Sequence, residues 1–252
     1  YEAKICGCCS TVTHILRIRL FTLQFRRYPC LMNSYHIQPL GESAIQIIFG
    51  TTIDIQTNLR VHAAFEALSR ADLPAINNLV PAYASLTLVL DPLAVLLGQA
   101  SVAKVIQQLP AIIDQAESHI FKPRLIKLPV CYNGSDLSRV SAHCGLTEQE
   151  VIRLHSASVY DVYFLGFSPG FAYLGGLNPQ LATPRLANPR VQVPAGSVAI
   201  GGAQTAVYPQ ATPGGWNLIG QCADVLFDVN ANYPCRLMPG DKVQFMAVDT
   251  LC

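Results

Sequence analysis

Between Val162 and Ala223 the chain carries only two charged side chains, Arg185 and Arg190. The same window holds GFSPGFAYLGGL (166–177), VPAGSVAIGG (193–202) and TPGGW (212–216). General acid–base catalysis needs a titratable group near operating pH. This window has no Asp, Glu, His or Lys. It offers instead two guanidiniums, the carboxamide of Gln204, the hydroxyls of Tyr173 and Tyr208, the indole of Trp216 and backbone N–H groups around Pro213, Gly214 and Gly215. Such groups bind and orient a ligand. Guanidinium forks suit carboxylate or phosphate. Proton transfer would have to come from His155 or Asp161 just upstream, or from another polypeptide.

Several chemistries are excluded by spacing. A phosphate loop of the G-x-x-x-x-G-K-[ST] type needs a lysine, and none lies between Lys127 and Lys242. The glycines come in pairs (201–202, 214–215), not as G-x-G-x-x-G, and G-x-S-x-G is absent. A net charge of +1 provides no footprint for nucleic acid or an anionic membrane. Runs such as LTLVL (86–90) are far shorter than the roughly 18 apolar residues of a membrane span. Of the nine cysteines, four lie in residues 1–31 and the other five, Cys131, Cys144, Cys222, Cys235 and Cys252, are scattered with no CxxC spacing, so neither a disulfide framework nor a zinc site is expected. No metal site is assigned.

Each candidate also has a purely structural reading. His155, on an amphipathic helix, serves equally well as a satisfied or half-exposed polar side chain. Arg185 and Arg190 each follow a proline and suit a surface; the lack of acidic residues near them in sequence favours a ligand. Gly214–Gly215 is either a turn needing positive φ or, with Pro213 and Trp216, a pocket rim. Phe167, Phe171 and Tyr173 read as core or interface aromatics. His62 and His119 read as surface helix positions.

The elements that must position these groups follow from periodicity. YHIQPL and AIQIIFG read as strands joined at Gly41–Glu42. Residues 54–71 read as an amphipathic helix with Leu59, Ala63, Phe65 and Leu68 inward, stopped by Pro74. Two strands split around 82–85, and a helix over 101–118, complete a β-β-α-β-β-α unit with helices on one face of a sheet. RLIKLPVCY, an Asn133–Gly134 turn and a helix over 135–143 stopped by Gly145 follow. Thr147 and Glu150 form a capping box that starts the helix carrying His155. Then come short β segments with turn punctuation: VYDVYFLGF, VQVPAG, SVAIGG, QTAVYP, NLIG, LFDV and KVQFMAV. This density of strands predicts a closed or nearly closed barrel. At 51% hydrophobic and 13% charged residues the chain can bury a sizeable core.

Residues 1–31 differ in character. They are basic, hold Cys6, Cys8, Cys9 and Cys30, and have Arg17 and Arg19 inside their apolar stretch. They are expected to be an extension upstream of a natural start at Met32, and CGCC (6–9) carries little weight as a metal motif. The domains are expected at 32–122 (N-terminal α/β) and 123–252 (barrel), with the boundary at Lys122–Pro123.

TEQEVIRLHSASVYDVYFLGF, GFSPGFAYLGGLNPQLATPRLANPR and VPAGSVAIGGAQTAVYPQATPGGWNLIG strongly resemble the family of the 5-oxoprolinase B subunit, also labelled KipI or allophanate hydrolase subunit 1. The resemblance runs from Met32 to about Val248. It implies an α+β protein: a small N-terminal α/β sandwich domain followed by a cyclophilin-like β-barrel. It also implies a non-autonomous component of an ATP-dependent hydrolase, acting with the A and C subunits to convert 5-oxo-L-proline to L-glutamate. ATP, with Mg²⁺ held largely by the partners, would activate the lactam carbonyl by phosphorylation. Positions matching the family motifs are His155, Pro169, Gly170, Arg185, Arg190, Gln204, Pro213, Gly214, Gly215 and Trp216. Our assignment takes His155, Arg185 and Arg190 as catalytic. It takes Gln204, Tyr208, Pro213, Gly214, Gly215 and Trp216 as substrate-binding. The resemblance leaves open a KipI-type inhibitor of a histidine kinase and a partner in urea or allophanate metabolism. A bacterial cytoplasmic setting is expected from the absence of a targeting signal.

Overall fold

Strict alternation of apolar residues in the first strands sets up a small sheet with one buried face. β1 (His36–Pro39), β2 (Ala44–Ile48), β3 (Ile76–Pro81) and β4 (Ser85–Leu90) form an antiparallel sheet in the order β1-β2-β4-β3. Ile45, Ile47, Leu86, Leu88 and Leu90 point to one side, where α1 (Ile55–Arg70) and α3 (Val102–Ala116) cover them. Asp54 starts α1 by accepting the Thr57 N–H at 2.9 Å. A short helix not anticipated from the sequence, α2 (Pro92–Leu96), begins where Asp91 caps and Pro92 presets φ. The computed structural model describes residues 35–250 except Asp72, Pro74 and 117–122. The expectations for residues 1–31, the start at Met32, the stop at Pro74, His119 and the boundary at Lys122 lie outside the described residues.

The second layer is the barrel. Its strands are β5 (Leu125–Cys131), β6 (Val159–Leu165), β7 (Ala172–Gly175), β9 (Ser197–Gly201), β10 (Gln204–Val207), β12 (Asn217–Cys222) and β13 (Lys242–Ala247). They close in the order β10-β7-β6-β13-β5-β12-β9. A separate two-stranded ribbon pairs β8 (Arg190–Val193) with β11 (Thr212–Gly214). Leu128, Tyr160, Val162, Leu174, Val198, Ile200, Val207, Ile219, Val243 and Phe245 fill the interior. α4 (Leu137–Cys144) and α5 (Glu148–Ala157) add Val140 and Val151 to the same core. The capping box of Thr147 and Glu150 starts α5, and Gly145 ends α4 with φ of 65°. The mixed α/β class, with a small sheet followed by a closed barrel, is as the sequence predicts. LFDV is not a strand; Phe227 makes only an isolated bridge to Cys235. Among the described residues no helix is long and apolar enough to cross a membrane.

The phase of α1 differs from the periodic reading. Asn58, Val61, His62, Ala64 and Leu68 are buried, while Leu59 is 38% exposed. The reason is that α1 has two neighbours, the small sheet and barrel strand β6, so a polar stripe is buried against the barrel. Asn58 Nδ2 shares its two hydrogens among the carbonyls of Ala82 (3.2 Å), Tyr83 (3.1 Å) and Tyr163 (3.3 Å). His62 Nε2 lies 2.7 Å from Asn58 Oδ1. His62 is therefore a joint between sheet and barrel, not the surface position expected. Burial pulls its pKa down to about 4. The unfolded chain binds this proton near pH 6.5, so the stabilisation from neutral His62 is complete above that pH and is lost as pH falls towards 4. The loss is on the order of 3 kcal/mol. Thermal melts between about pH 7 and pH 4.5 should show a falling Tm in the wild type and a shallower fall in His62→Gln.

Candidate functional site

The barrel wall is apolar on its outside as well as its inside. β9 alternates Val198 and Ile200 inward with Ala199 outward, and β10 places Ala206 outward beside Val207 inward. Phe171, Val193, Ala199, Ala206, Tyr208, Trp216 and Leu218 form a second buried cluster there, with Tyr173 packed on it. Aromatic pairs favour edge-to-face contact over a flat sandwich. Phe171 meets Tyr173, Tyr208 and Trp216 in that way, at 5.0 Å, 5.2 Å and 5.9 Å between ring centroids. The Trp216 indole lies against Gly201, where an added Cβ would fall 2.4 Å from the ring, so this contact requires glycine.

The two arginines part company. Arg185 is exposed, and its guanidinium stands 5.4 Å over the Trp216 ring. That is a cation–π contact. Leu186 N–H donates to Gly215 O at 2.7 Å, which ties the Arg185 segment to the Trp216 segment. Among the described residues no carboxylate forms an ion pair with Arg185. Arg190 has a partner that nothing near it in sequence discloses. Its Nη2 donates to Asp136 Oδ1 and Oδ2 at 2.6 and 2.7 Å, and its Nη1 to Trp216 O at 3.2 Å. Asp136 also accepts the Leu218 N–H at 2.7 Å. Arg190 is thus paired within the fold, tying the ribbon and the Trp216 segment to Asp136 at the start of α4, which argues against its assignment as a catalytic group.

His155 is not brought to this face. It is fully buried inside the barrel and stacks on Phe245 at 4.7 Å. Nδ1 lies 2.7 Å from Tyr132 Oη, and Nε2 lies 2.9 Å from Thr205 Oγ1, whose own hydrogen goes to Ala199 O. Nε2 is then the donor and Nδ1 the acceptor, which is the neutral imidazole. Burial holds its pKa at about 3. With both nitrogens engaged and no solvent contact, its expected catalytic role is corrected to a core position. Asp161, the other upstream candidate, faces Lys242 across the ladder and pairs with its Nζ at 2.5 Å.

The remaining expected positions line the same wall. Gly214 sits in β11, where an added Cβ would fall 2.4 Å from the Tyr208 hydroxyl. Neither it nor Gly215 has a positive φ, so the turn reading of this pair does not hold. Pro213 is exposed beside them. Burial raises the Tyr208 pKa, against the opposing pull of the Trp216 N–H and Arg185. Gln204 Oε1 accepts the Tyr83 hydroxyl at 2.9 Å, and its Nε2 is buried with no partner. Tyr83 was not anticipated. It comes from the turn between β3 and β4, and its ring packs edge-on to Phe164 at 4.7 Å and Tyr173 at 5.9 Å. Its only sequence signal is an aromatic at a hairpin tip. A cleft of about 330 Å³ bounded by Phe65, Leu68, Ile76 and Leu79 lies on the small sheet, and none of its described lining residues is titratable. Among the described residues no three His, Cys, Asp or Glu side chains converge as a metal site would need.

The carboxyltransferase domain family, subdomain C and D, matches residues 35–237. The 5-oxoprolinase B subunit of Escherichia coli O157:H7 is 42% identical over 211 residues, covering 82% of this chain and 93% of the relative. The chain belongs to the 5-oxoprolinase B-subunit family. A Bacillus subtilis (strain 168) relative of the same name is 40% identical over 225 residues, covering 85% of this chain and 93% of that protein. The crystal structure of TTHA0988 is 36% identical with a TM-score of 0.73 over 83% of this chain; the chain spans 40% of its length. Within this B-subunit fold the two arginines make opposite predictions. Arg190→Ala leaves the buried Asp136 carboxylate without its cation, held only by the Leu218 N–H, and should cost roughly 2–3 kcal/mol. Arg185→Ala, on an exposed side chain, should stay within about 0.5 kcal/mol. Denaturant midpoints of the two variants check this.

Proposed function

We propose that this chain is the B subunit of a multi-subunit ATP-dependent 5-oxoprolinase, supplying one wall of a shared site for 5-oxo-L-proline. The observation that carries the reading is the outer wall itself. It joins an exposed, carboxylate-free Arg185 to an aromatic floor in a chain of the B-subunit family. A small ring bearing a carboxylate matches that pairing. The guanidinium would take the carboxylate, and the apolar wall around the buried Trp216 the ring.

Opening a lactam needs proton carriers, and this wall brings none. His155 is sealed in the core, Asp161 is paired with Lys242, and Asp136 is paired with Arg190. Mg²⁺ does not fit this face, since among the described residues it holds no uncommitted carboxylate. The reading therefore assigns nucleotide, metal and acid–base groups to the A and C subunits, and binding and orientation to this chain.

One feature favours a protein-binding role for the same face. Phe167 is 60% exposed and holds a φ of 70°, the only non-glycine positive φ among the described residues. Backbone strain of this kind gathers at ligand clamps and contact sites. That aromatic would contact a partner subunit in an oxoprolinase, or a histidine kinase in a KipI-type regulator.

Purified alone, the chain should show no 5-oxoproline-dependent ATP hydrolysis; co-expressed with the A and C subunits it should. In that complex Arg185→Ala and Trp216→Ala should each lower kcat/KM by about 10- to 100-fold, the scale of one lost charge-assisted contact. Robust turnover by the isolated chain, or wild-type rates in both variants, overturns the reading. Recovery with a histidine kinase in place of A and C selects the regulator.

A further inference from the structure

Tyr83, in the turn between β3 and β4, carries the small N-terminal sheet to the barrel's outer wall. Its turn is tied to β6 by the Asn58 amide: Asn58 Nδ2 donates to the Ala82 and Tyr83 carbonyls and to Tyr163 O of β6. His62 in turn holds Asn58 Oδ1. The turn therefore cannot move off the wall without breaking buried hydrogen bonds. The Tyr83 ring is fixed between Tyr163, Phe164 and Tyr173, at 5.7 Å, 4.7 Å and 5.9 Å.

At the end of this chain of contacts the Tyr83 hydroxyl donates to Gln204 Oε1. That bond decides which end of the carboxamide is spent and which is left. The end left is Nε2, enclosed and without a partner. Buried donors are normally paired, because an enclosed N–H has given up water and gained nothing in return. An orphaned donor held in one orientation, on a wall with a guanidinium at its edge, is the arrangement expected where a ligand oxygen completes the set. Tyr83 and Gln204 are half-buried, not sealed.

We propose that Tyr83 is a positioning residue of the site, fixing Gln204 so that its amide nitrogen donates to the ring carbonyl of a cyclic amide whose carboxylate Arg185 takes. This rests on the reading of the wall as the 5-oxo-L-proline site and adds what selects the lactam. Arg185 alone accepts any small carboxylate. Gln204 discriminates in favour of a ring that presents a carbonyl oxygen, because a ligand without one leaves the buried donor unpaired. The N-terminal sheet thereby sets the specificity of a face built by the barrel.

The test uses the complex with the A and C subunits. Tyr83→Phe keeps the ring packing and removes only the hydroxyl. It should raise KM for 5-oxo-L-proline about five- to tenfold, with kcat within about twofold and Tm within about 2 °C of wild type. Gln204→Ala should raise KM at least as much. The double variant should be no worse than Gln204→Ala, since both changes break one device. Wild-type KM in Tyr83→Phe, or losses that multiply in the double variant, overturns the inference while leaving the oxoprolinase reading intact. A wild-type complex with no 5-oxoproline-dependent turnover sinks that reading instead. In that event Trp216, the single tryptophan, reports binding by fluorescence on the chain alone. Quenching by 5-oxo-L-proline that exceeds quenching by L-proline, and that weakens in Tyr83→Phe, supports the inference. Equal curves for the two ligands, no quenching, or no change in the variant overturn it.

Discussion

A barrel wall that is apolar on both faces cannot stand bare in water, and most of this structure answers that constraint. β9 is buried at all five of its positions. Its inner residues belong to the barrel core, and its outer Ala199 must be covered by something else. The cover comes from the β8–β11 ribbon, the Trp216 segment and the turn carrying Tyr83. Each large aromatic buried this way contributes about 1.5–3 kcal/mol. The surface that joins the two layers is thus the same surface that displays Arg185, Gln204 and Trp216.

Buried and half-buried carboxylates around the barrel need partners. Arg190 and Asp136 form a pair that also receives the Leu218 N–H and donates to Trp216 O. Lys242 and Asp161 are matched by strand register. Arg124 and Asp241 are matched beside β13. Arg185 alone among these cations faces solvent over a ring, free to bind an anion. His155 shows the opposite solution: a polar ring deep in the barrel, kept neutral and satisfied by Tyr132 and Thr205. A histidine that serves the core has no proton to lend.

Local elements were largely legible. The capping box at Thr147, the αL stop at Gly145 and the hairpin at Gly41 each rest on a few adjacent residues, and each lies where the sequence places it. The phase of α1 was misread because periodicity assumes that polar residues face water. Asn58 and His62 instead face the barrel, where backbone carbonyls await their hydrogens. LFDV looks like a strand by composition, yet finds no neighbour beyond one bridge.

That the 162–223 window holds no Asp, Glu, His or Lys is written in its residue types and is independent of folding. The same holds for the strand density that predicts a barrel, and for the motifs that place the chain in its family. Which arginine is uncommitted, and which side chain of the small sheet meets the barrel wall, emerged only with the three-dimensional arrangement. Arg190 meets Asp136 across 54 residues, and Tyr83 meets Gln204 across 121. Such partners are chosen by barrel closure and by the docking of a sheet onto its wall. Those are long-range events for which local propensity and spacing carry no signal.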